Sequence, residues 1–187
     1  MPAEPTPAPT TPAFAIPPAF TPKELAALLR ASMEALRAEA AALGDGAASS
    51  HPAPGEWCVK EVLGHIIEAE RRGFAGRVRE FLAKDEPPCV PWDQDVVARE
   101  RKDCARPLGG LVHELAALRA DSVKLVEGLA PAALGRGGAH PKVGRLTVGD
   151  VVQEWVHHDR NHLKQIMANV QALAWPHMGN AQRFSLP

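Results

Sequence analysis

The chain lacks a long apolar run and an excess of charge of either sign. A membrane-spanning helix needs ~20 consecutive apolar residues, and no stretch of the 187 residues approaches that length. Twenty-one basic and 22 acidic side chains leave a formal net charge of −1, so no electrostatic feature favours a polyanion. We therefore expect neither nucleic acid nor a membrane as a partner.

Cysteine is also scarce. Cys58, Cys89 and Cys104 are odd in number and widely spaced, which is typical neither of a disulfide framework nor of a paired-thiolate zinc site. The N-terminal sequence has no basic region followed by an apolar run, as a secretory signal would. We expect an unexported protein in the reducing cytoplasm.

Proline is concentrated at the start of the chain. Residues 1–20 contain seven prolines, and proline removes amide donors and disfavours helix in the residue before it. This composition predicts a disordered leader over residues 1–20. The remaining length suits one globular domain over residues 21–187.

Apolar residues at helical spacing predict four long amphipathic helices in that domain. Two begin with capping boxes, in which Thr21 pairs with Glu24 and Thr147 with Asp150. The second predicted helix has Cys58 in the place of a capping Ser or Thr, so we expect a weaker cap at its start. No alternating apolar run predicts a strand, and the glycine-rich stretch GRGGAHPKVGR is interpreted as a connector. The predicted helices cover about residues 21–44, 58–84, 107–127 and 147–175.

A long proline-containing connection separates the second and third helices. Within it, the segment VVARERKDCA predicts a helical turn or more. This length suits a crossover in a bundle better than a tight hairpin. The predicted fold class is all-α, a four-helix bundle with a long crossover after the second helix.

The histidines His158 and His162 lie four residues apart in the segment VVQEWVHHDRNHLKQI. One helical turn brings such residues onto the same face, so two imidazoles can converge on one point. A third histidine, His65, interrupts the second amphipathic helix, and all three border apolar stripes. Neutral imidazole suits Zn, Ni, Cu or Fe, and three ligands leave a coordination position open, as in catalytic zinc sites. We predict a divalent metal site, with Zn or Ni favoured.

The alternative is that these histidines bind nothing. A pair at this spacing is more often two partly exposed residues on a helix surface. With His65 added, a metal site and this alternative are equally favoured. The adjacent His157 points roughly 100° away from His158 on a helical wheel. We expect it at the surface or as a hydrogen-bond donor behind the ligands.

Several carboxylates lie near the predicted ligands. Glu68, Glu154 and Asp159 are each within about one turn of a histidine and could orient an imidazole or transfer a proton. A solvated charge at a helix edge is the favoured interpretation for each taken singly. Asp93 and Asp95 could line a substrate pocket, although a helix cap explains them equally well.

Taken together, four segments resemble the DinB-like (YfiT-like) superfamily of metalloenzymes over about residues 21–175. They are EWCVKEVLGHIIEAE, PWDQDVVAR, LTVGD and HHDRNHLKQI, and their order and spacing carry the resemblance. The resemblance implies a four-helix bundle, commonly dimeric, that holds a divalent metal with one histidine from the second helix and two from the last. These positions correspond to His65, His158 and His162.

The resemblance also implies a choice of activities, because the family includes thiol-dependent transferases and related metal-dependent hydrolases. The preferred prediction is a metal-dependent enzyme that activates a low-molecular-weight thiol, in detoxification or stress response, with a small molecule as partner. A hydrolase that uses metal-bound hydroxide is the enzymatic alternative. A non-catalytic bundle whose metal has a structural role is the other.

Overall fold

The computed structural model describes residues 18–185, and the predicted leader lies almost entirely outside them. Four long helices form a bundle, which confirms the predicted fold class. A single helical turn, Asp45–Ala48, follows the first long helix, a short helix lies in the crossover, and a small antiparallel hairpin precedes the last long helix. The labelled elements are α1 (Pro22–Ala42), α2 (Val59–Glu68, Ala69–Phe74 and Ala75–Ala83), α3 (Gln94–Arg101), α4 (Leu108–Glu127), β1 (Gly137–His140), β2 (Gly144–Thr147) and α5 (Val148–Ala174).

The helices begin where local capping chemistry places them. The Glu24 carboxylate accepts a hydrogen bond from the Thr21 amide at 2.8 Å, and that of Asp150 accepts from the Thr147 amide at 2.9 Å. At the start of α2, Glu61 accepts from the amide of Cys58 at 2.9 Å. These bonds satisfy amide donors that a helix start leaves without partners.

Each of α1 and α2 packs against both α4 and α5, so α1 and α2 occupy opposite corners of the bundle. The core consists of two apolar clusters, one after the other along the bundle. Where they meet, each long helix supplies a buried polar residue instead of an apolar one. These four residues are Ser32, Glu70, Arg119 and Asp159.

Arg119 is the centre of this polar layer, and its side chain is 2% exposed. Its guanidinium donates to Glu70 at 3.0 and 2.8 Å, and to both carboxylate oxygens of Asp159. Trp155 also donates to Glu70, at 3.2 Å. Buried charges need such partners because desolvation would otherwise destabilise the fold. The layer therefore ties α2, α4 and α5 together inside the core.

Helix α2 contains a π-helical turn over Ala69–Phe74, which the apolar pattern does not reveal. Such turns insert an extra residue and often occur at functional sites. Here the turn starts directly after Glu68 and contains both Glu70, which binds Arg119, and Phe74, which stacks on Trp155 with ring centroids 5.1 Å apart. It therefore joins the polar layer to the apolar core.

The prediction that GRGGAHPKVGR is a connector without strand is wrong. Strands β1 and β2 pair in register from Gly137 opposite Thr147 to His140 opposite Gly144. The Cys89 amide donates to the Ala139 carbonyl at 2.7 Å, so the hairpin also pairs with the crossover. A Cβ at Gly138 would lie 2.2 Å from the Pro87 carbonyl oxygen. The strand forms because glycine allows this close approach, a contact with a distant segment that the local pattern does not encode.

The cysteines also differ from expectation, because Cys58 and Cys104 form a disulfide and Cys89 is buried and free. The segment after α3 approaches the start of α2 closely enough to bring the two sulfurs together. Gly64 permits this approach, since a Cβ at that position would lie 1.8 Å from the Asp103 carboxylate. Wide spacing of two cysteines along the sequence therefore does not exclude a disulfide between them.

No helix within residues 18–185 combines the length and the apolar character that a membrane span requires.

Candidate metal centre

The three predicted histidines meet between α2 and α5. His65 comes from α2, and His158 and His162 come from successive turns of α5. Nitrogen atoms of the three rings lie within 4.8 Å of one another, and the Nε2 atoms of His65 and His158 are 3.0 Å apart. The helical spacing of four residues brings His158 and His162 together, with ring centroids 4.4 Å apart.

The hydrogen bonding of these rings fits a metal ion. The buried Nδ1 atoms of His65 and His158 have no hydrogen-bond partner in the described part of the chain. The Nδ1–H of His162 donates to Gln165 Oε1 at 2.9 Å, which leaves the lone pair of His162 on Nε2. The Nε2 atoms of His65 and His158 face each other instead. Three converging imidazoles with their nitrogen atoms close together form a donor set that divalent transition ions prefer.

Burial keeps all three imidazoles neutral. It is the main reason that the pKa of His65 falls to about 4 and that of His158 to about 2, and the neighbouring histidines lower both further. Burial also lowers the pKa of His162. Neutral rings offer lone pairs to a metal, whereas protonated rings cannot bind one.

These pKa shifts predict that the metal-free protein loses stability on acidification. In the unfolded chain the histidines take up protons near pH 6.5, the ordinary value, whereas in the folded chain His65 stays neutral down to about pH 4. The contribution of the buried neutral histidines to the free energy of unfolding is complete above pH 6.5 and is lost as the pH falls towards 4. The expected slope is up to about 1.4 kcal/mol per pH unit for each histidine.

Urea unfolding of the chelated protein between pH 7 and pH 5 measures this slope. The variant His158→Ala should show a shallower slope, and His157→Ala, which alters an exposed neighbour, should keep that of the parent. An equal slope in all three proteins would contradict the assignment of buried neutral histidines.

Aromatic rings enclose the cluster, and histidine spacing does not predict them. Trp57 and Trp92 lie 5.1 and 5.8 Å from the His65 ring, and Phe74 lies 4.9 Å from His158, as centroid distances. Trp57 precedes α2, and Trp92 lies in the crossover. Both belong to the segments that carry the family resemblance, so the resemblance could have indicated them. Gln165 could have been found only from its position three residues after His162.

Trp92 also connects the cluster to the surface. Besides contacting His65, it lines an open groove of about 710 Å³ together with Pro91, Asp93, Gln94 and Lys142. Asp93 caps α3, since its carboxylate accepts from the amides of the second and third residues after it. The groove offers room for a small molecule, and Trp92 is the residue that separates it from His65.

The carboxylates suggested for proton transfer are engaged elsewhere or lie at the surface. Glu68 accepts hydrogen bonds from three arginines, among them Arg101 at 2.7 Å. Asp159 is fully buried against Arg119, and Glu154 is exposed. Glu68 and Asp159 therefore contribute to the packing of α2 and α5, which carry the ligands.

Fold and candidate site together describe a four-helix bundle with a three-histidine cluster between its second and last long helices. The model of the DinB superfamily matches residues 28–166, and the chain belongs to that superfamily. This span includes His65, His158 and His162.

Two similar proteins extend the comparison. The chain is 23% identical over 121 residues to a protein of Oceanobacillus iheyensis provisionally named a metal-dependent hydrolase, covering 65% of this chain and 69% of that protein. It is also similar in structure to YfiT from Bacillus subtilis, with a TM-score of 0.76 and 18% identity, covering 88% of this chain and 94% of that one. YfiT is described as "a probable metal-dependent hydrolase with an unusual four-helix bundle topology". Both names concern hydrolysis, and neither mentions the thiol transfer that the sequence resemblance led us to prefer.

Proposed function

We propose that the protein is a metal-dependent hydrolase of small molecules, with His65, His158 and His162 holding a divalent ion. The observation that carries the proposal is the convergence of three neutral imidazoles between α2 and α5. Both similar proteins are described as metal-dependent hydrolases. A divalent ion held there would supply Lewis acidity and make bound water more acidic.

The surrounding residues prepare the site for this role. Gln165 fixes the tautomer of His162, so the ring keeps its lone pair on Nε2. Trp57 and Trp92 cover His65 and exclude water from that side. The substrate would then approach from the groove beside Trp92. We assign no proton-transfer role to Glu68, Glu154 or Asp159, because two are held by arginines and one is exposed.

Hydrolysis of a panel of esters, amides and phosphoesters by the metal-loaded protein tests the proposal. Because a metal contributes several kcal/mol to such reactions, His158→Ala should lower the rate at least about a hundredfold. Chelation should do the same, and added Zn²⁺ or Ni²⁺ should restore the activity of the parent only. His157→Ala, one position away and exposed, is the matched control and should keep full activity.

A metal-loaded protein that hydrolyses nothing in the panel would contradict this function. If the same protein consumed a low-molecular-weight thiol in the presence of an electrophile, the thiol transferase predicted from the sequence would replace the hydrolase. Inactivity in both assays, with stoichiometric metal, would favour a structural ion.

The proposal also includes the identity of the ion, the oligomeric state and the location of the protein. Zinc or nickel is the proposed ion because both suit imidazole ligands, and elemental analysis of untagged protein identifies it. A homodimer and a cytoplasmic location are proposed from the resemblance and from cysteine scarcity. Light scattering after size-exclusion chromatography measures the first, and cell fractionation the second.

A further inference from the structure

A second group of metal-ligating side chains lies at the start of α2, apart from the three histidines. It consists of His51, Cys58, Glu61 and Cys104, whose ligand atoms all lie within 4.8 Å of one another. Cys58 precedes His65 by seven residues, a rise of about 10 Å along a helix. The two groups are therefore separate, and the hydrolase proposed above needs only one of them.

The imidazole of His51 faces the other members of the group. Its Nε2 atom is 3.0 Å from a carboxylate oxygen of Glu61 and 3.9 Å from the sulfur of Cys104. Tetrahedral zinc with bonds of 2.0–2.3 Å places its ligand atoms about 3.3–3.8 Å apart. The observed separations lie close to that range.

The chain segments that carry these residues are fastened to one another. The Ser49 hydroxyl donates to the Cys104 carbonyl at 3.2 Å. Asp45 accepts from the Leu108 amide at 3.0 Å and pairs with Lys60. These contacts hold the loop before α2 and the segment after α3 in place whether or not the sulfurs are bonded. Ordered scaffolding of this kind favours metal binding because little chain entropy is lost.

The disulfide between Cys58 and Cys104 determines when the four ligands are available. The two Cα atoms are 7.1 Å apart, beyond the usual 4.4–6.8 Å for disulfides, so the backbone leaves room for the sulfurs to separate. In a reducing compartment such a pair is present as thiols. Two thiolates, an imidazole and a carboxylate then form a set suited to Zn²⁺.

We propose that Cys58, Cys104, His51 and Glu61 form a second metal site, which binds Zn²⁺ when the cysteines are reduced and releases it when they form a disulfide. Two equivalents of a low-molecular-weight thiol reduce the disulfide and leave as their own disulfide. Each cysteine then loses one proton as its sulfur binds the ion. Oxidation by a small disulfide reverses both steps and leaves His51 and Glu61 as the remaining ligands.

Cobalt(II) provides the test, because thiolate ligands give Co²⁺ a charge-transfer absorption in the ultraviolet that imidazole ligands do not. The full chain, reduced anaerobically with a phosphine, should bind two Co²⁺ ions and show this band. After oxidation with a small disulfide and removal of the reagent, it should bind one ion and lose the band.

Variants separate the two sites. The double variant Cys58→Ser and Cys104→Ser should bind one ion without the band, and serine at position 58 suits a helix cap, so the helix is preserved. His158→Ala should lose the other ion and keep the band, whether or not the protein is a hydrolase. Cys89→Ser is the matched control, because Cys89 is outside the group, and it should keep both.

The proposal is overturned if the reduced parent, shown by circular dichroism to be helical, has no thiolate band. It is equally overturned if the band survives in the double variant or disappears in Cys89→Ser. Retention of both ions after complete oxidation would also contradict it.

Discussion

Replacing His158 with alanine is expected to abolish stoichiometric binding of a divalent ion at the three-histidine centre while leaving the bundle helical. His158 contributes the Nε2 atom that lies 3.0 Å from that of His65, and its removal leaves two imidazoles. The same result is expected for His162→Ala. Elemental analysis of the untagged, oxidised protein measures the loss at this centre, because the proposed second site binds no ion once Cys58 and Cys104 form a disulfide.

Three histidines elsewhere supply the controls for this experiment. His157 and His113 are exposed, and His140 lies in the hairpin. Alanine at any of these positions should leave the bound metal unchanged. Full affinity in His158→Ala or His162→Ala would show the ligand assignment to be wrong. The mean residue ellipticity distinguishes loss of a ligand from loss of the fold.

Replacing Arg119 with alanine is expected to lower the free energy of unfolding by about 3–5 kcal/mol, the usual result of removing one partner from a buried ion pair. Burial alone would lower the pKa of Arg119, but the carboxylates of Asp159 and Glu70 raise it overall. Burial raises the pKa of Glu70 in spite of its arginine partner. Without Arg119, two carboxylates would face each other in the core. Denaturant unfolding measures the difference.

Two further variants identify the cause of that loss. Arg30 pairs with Glu127 at the surface, where the two side chains are 50% and 45% exposed, so Arg30→Ala should cost at most about 1 kcal/mol. Replacing Arg119, Glu70 and Asp159 together by apolar residues of similar size should recover much of the stability, because no charge then remains unpaired. A loss below about 1 kcal/mol in Arg119→Ala would mean that the layer does not stabilise the core.

The features that sequence predicts well here depend on neighbours within one or two turns. The capping boxes at Thr21 and Thr147 form because their partners are three residues away. His158 and His162 share a face for the same local reason. His65 was the harder prediction, since its approach depends on how two helices pack. The three residues converge because all border apolar stripes that face the core, and their role as metal ligands stays a prediction.

The features that sequence misses depend on contacts between distant segments. The hairpin forms against the crossover at Ala139, and the disulfide joins cysteines 46 residues apart. The role of Arg119 could not be predicted, because a charged residue in an amphipathic helix is usually on the solvated side. The partners of the two carboxylates show the same division. Glu68 pairs with the nearby Arg71 and Arg72 and with the distant Arg101, whereas Asp159 pairs with the distant Arg119.

The π-helical turn of α2 absorbs one residue more than an α-helical turn would hold. Deleting one residue between Ala69 and Phe74 would therefore let α2 continue as a regular α-helix, with His65 and Phe74 still on their present faces. The deletion would instead remove the bulge that carries Glu70 to Arg119. A homologue without the extra residue could keep a histidine at the position of His65 but would need another partner for its buried arginine.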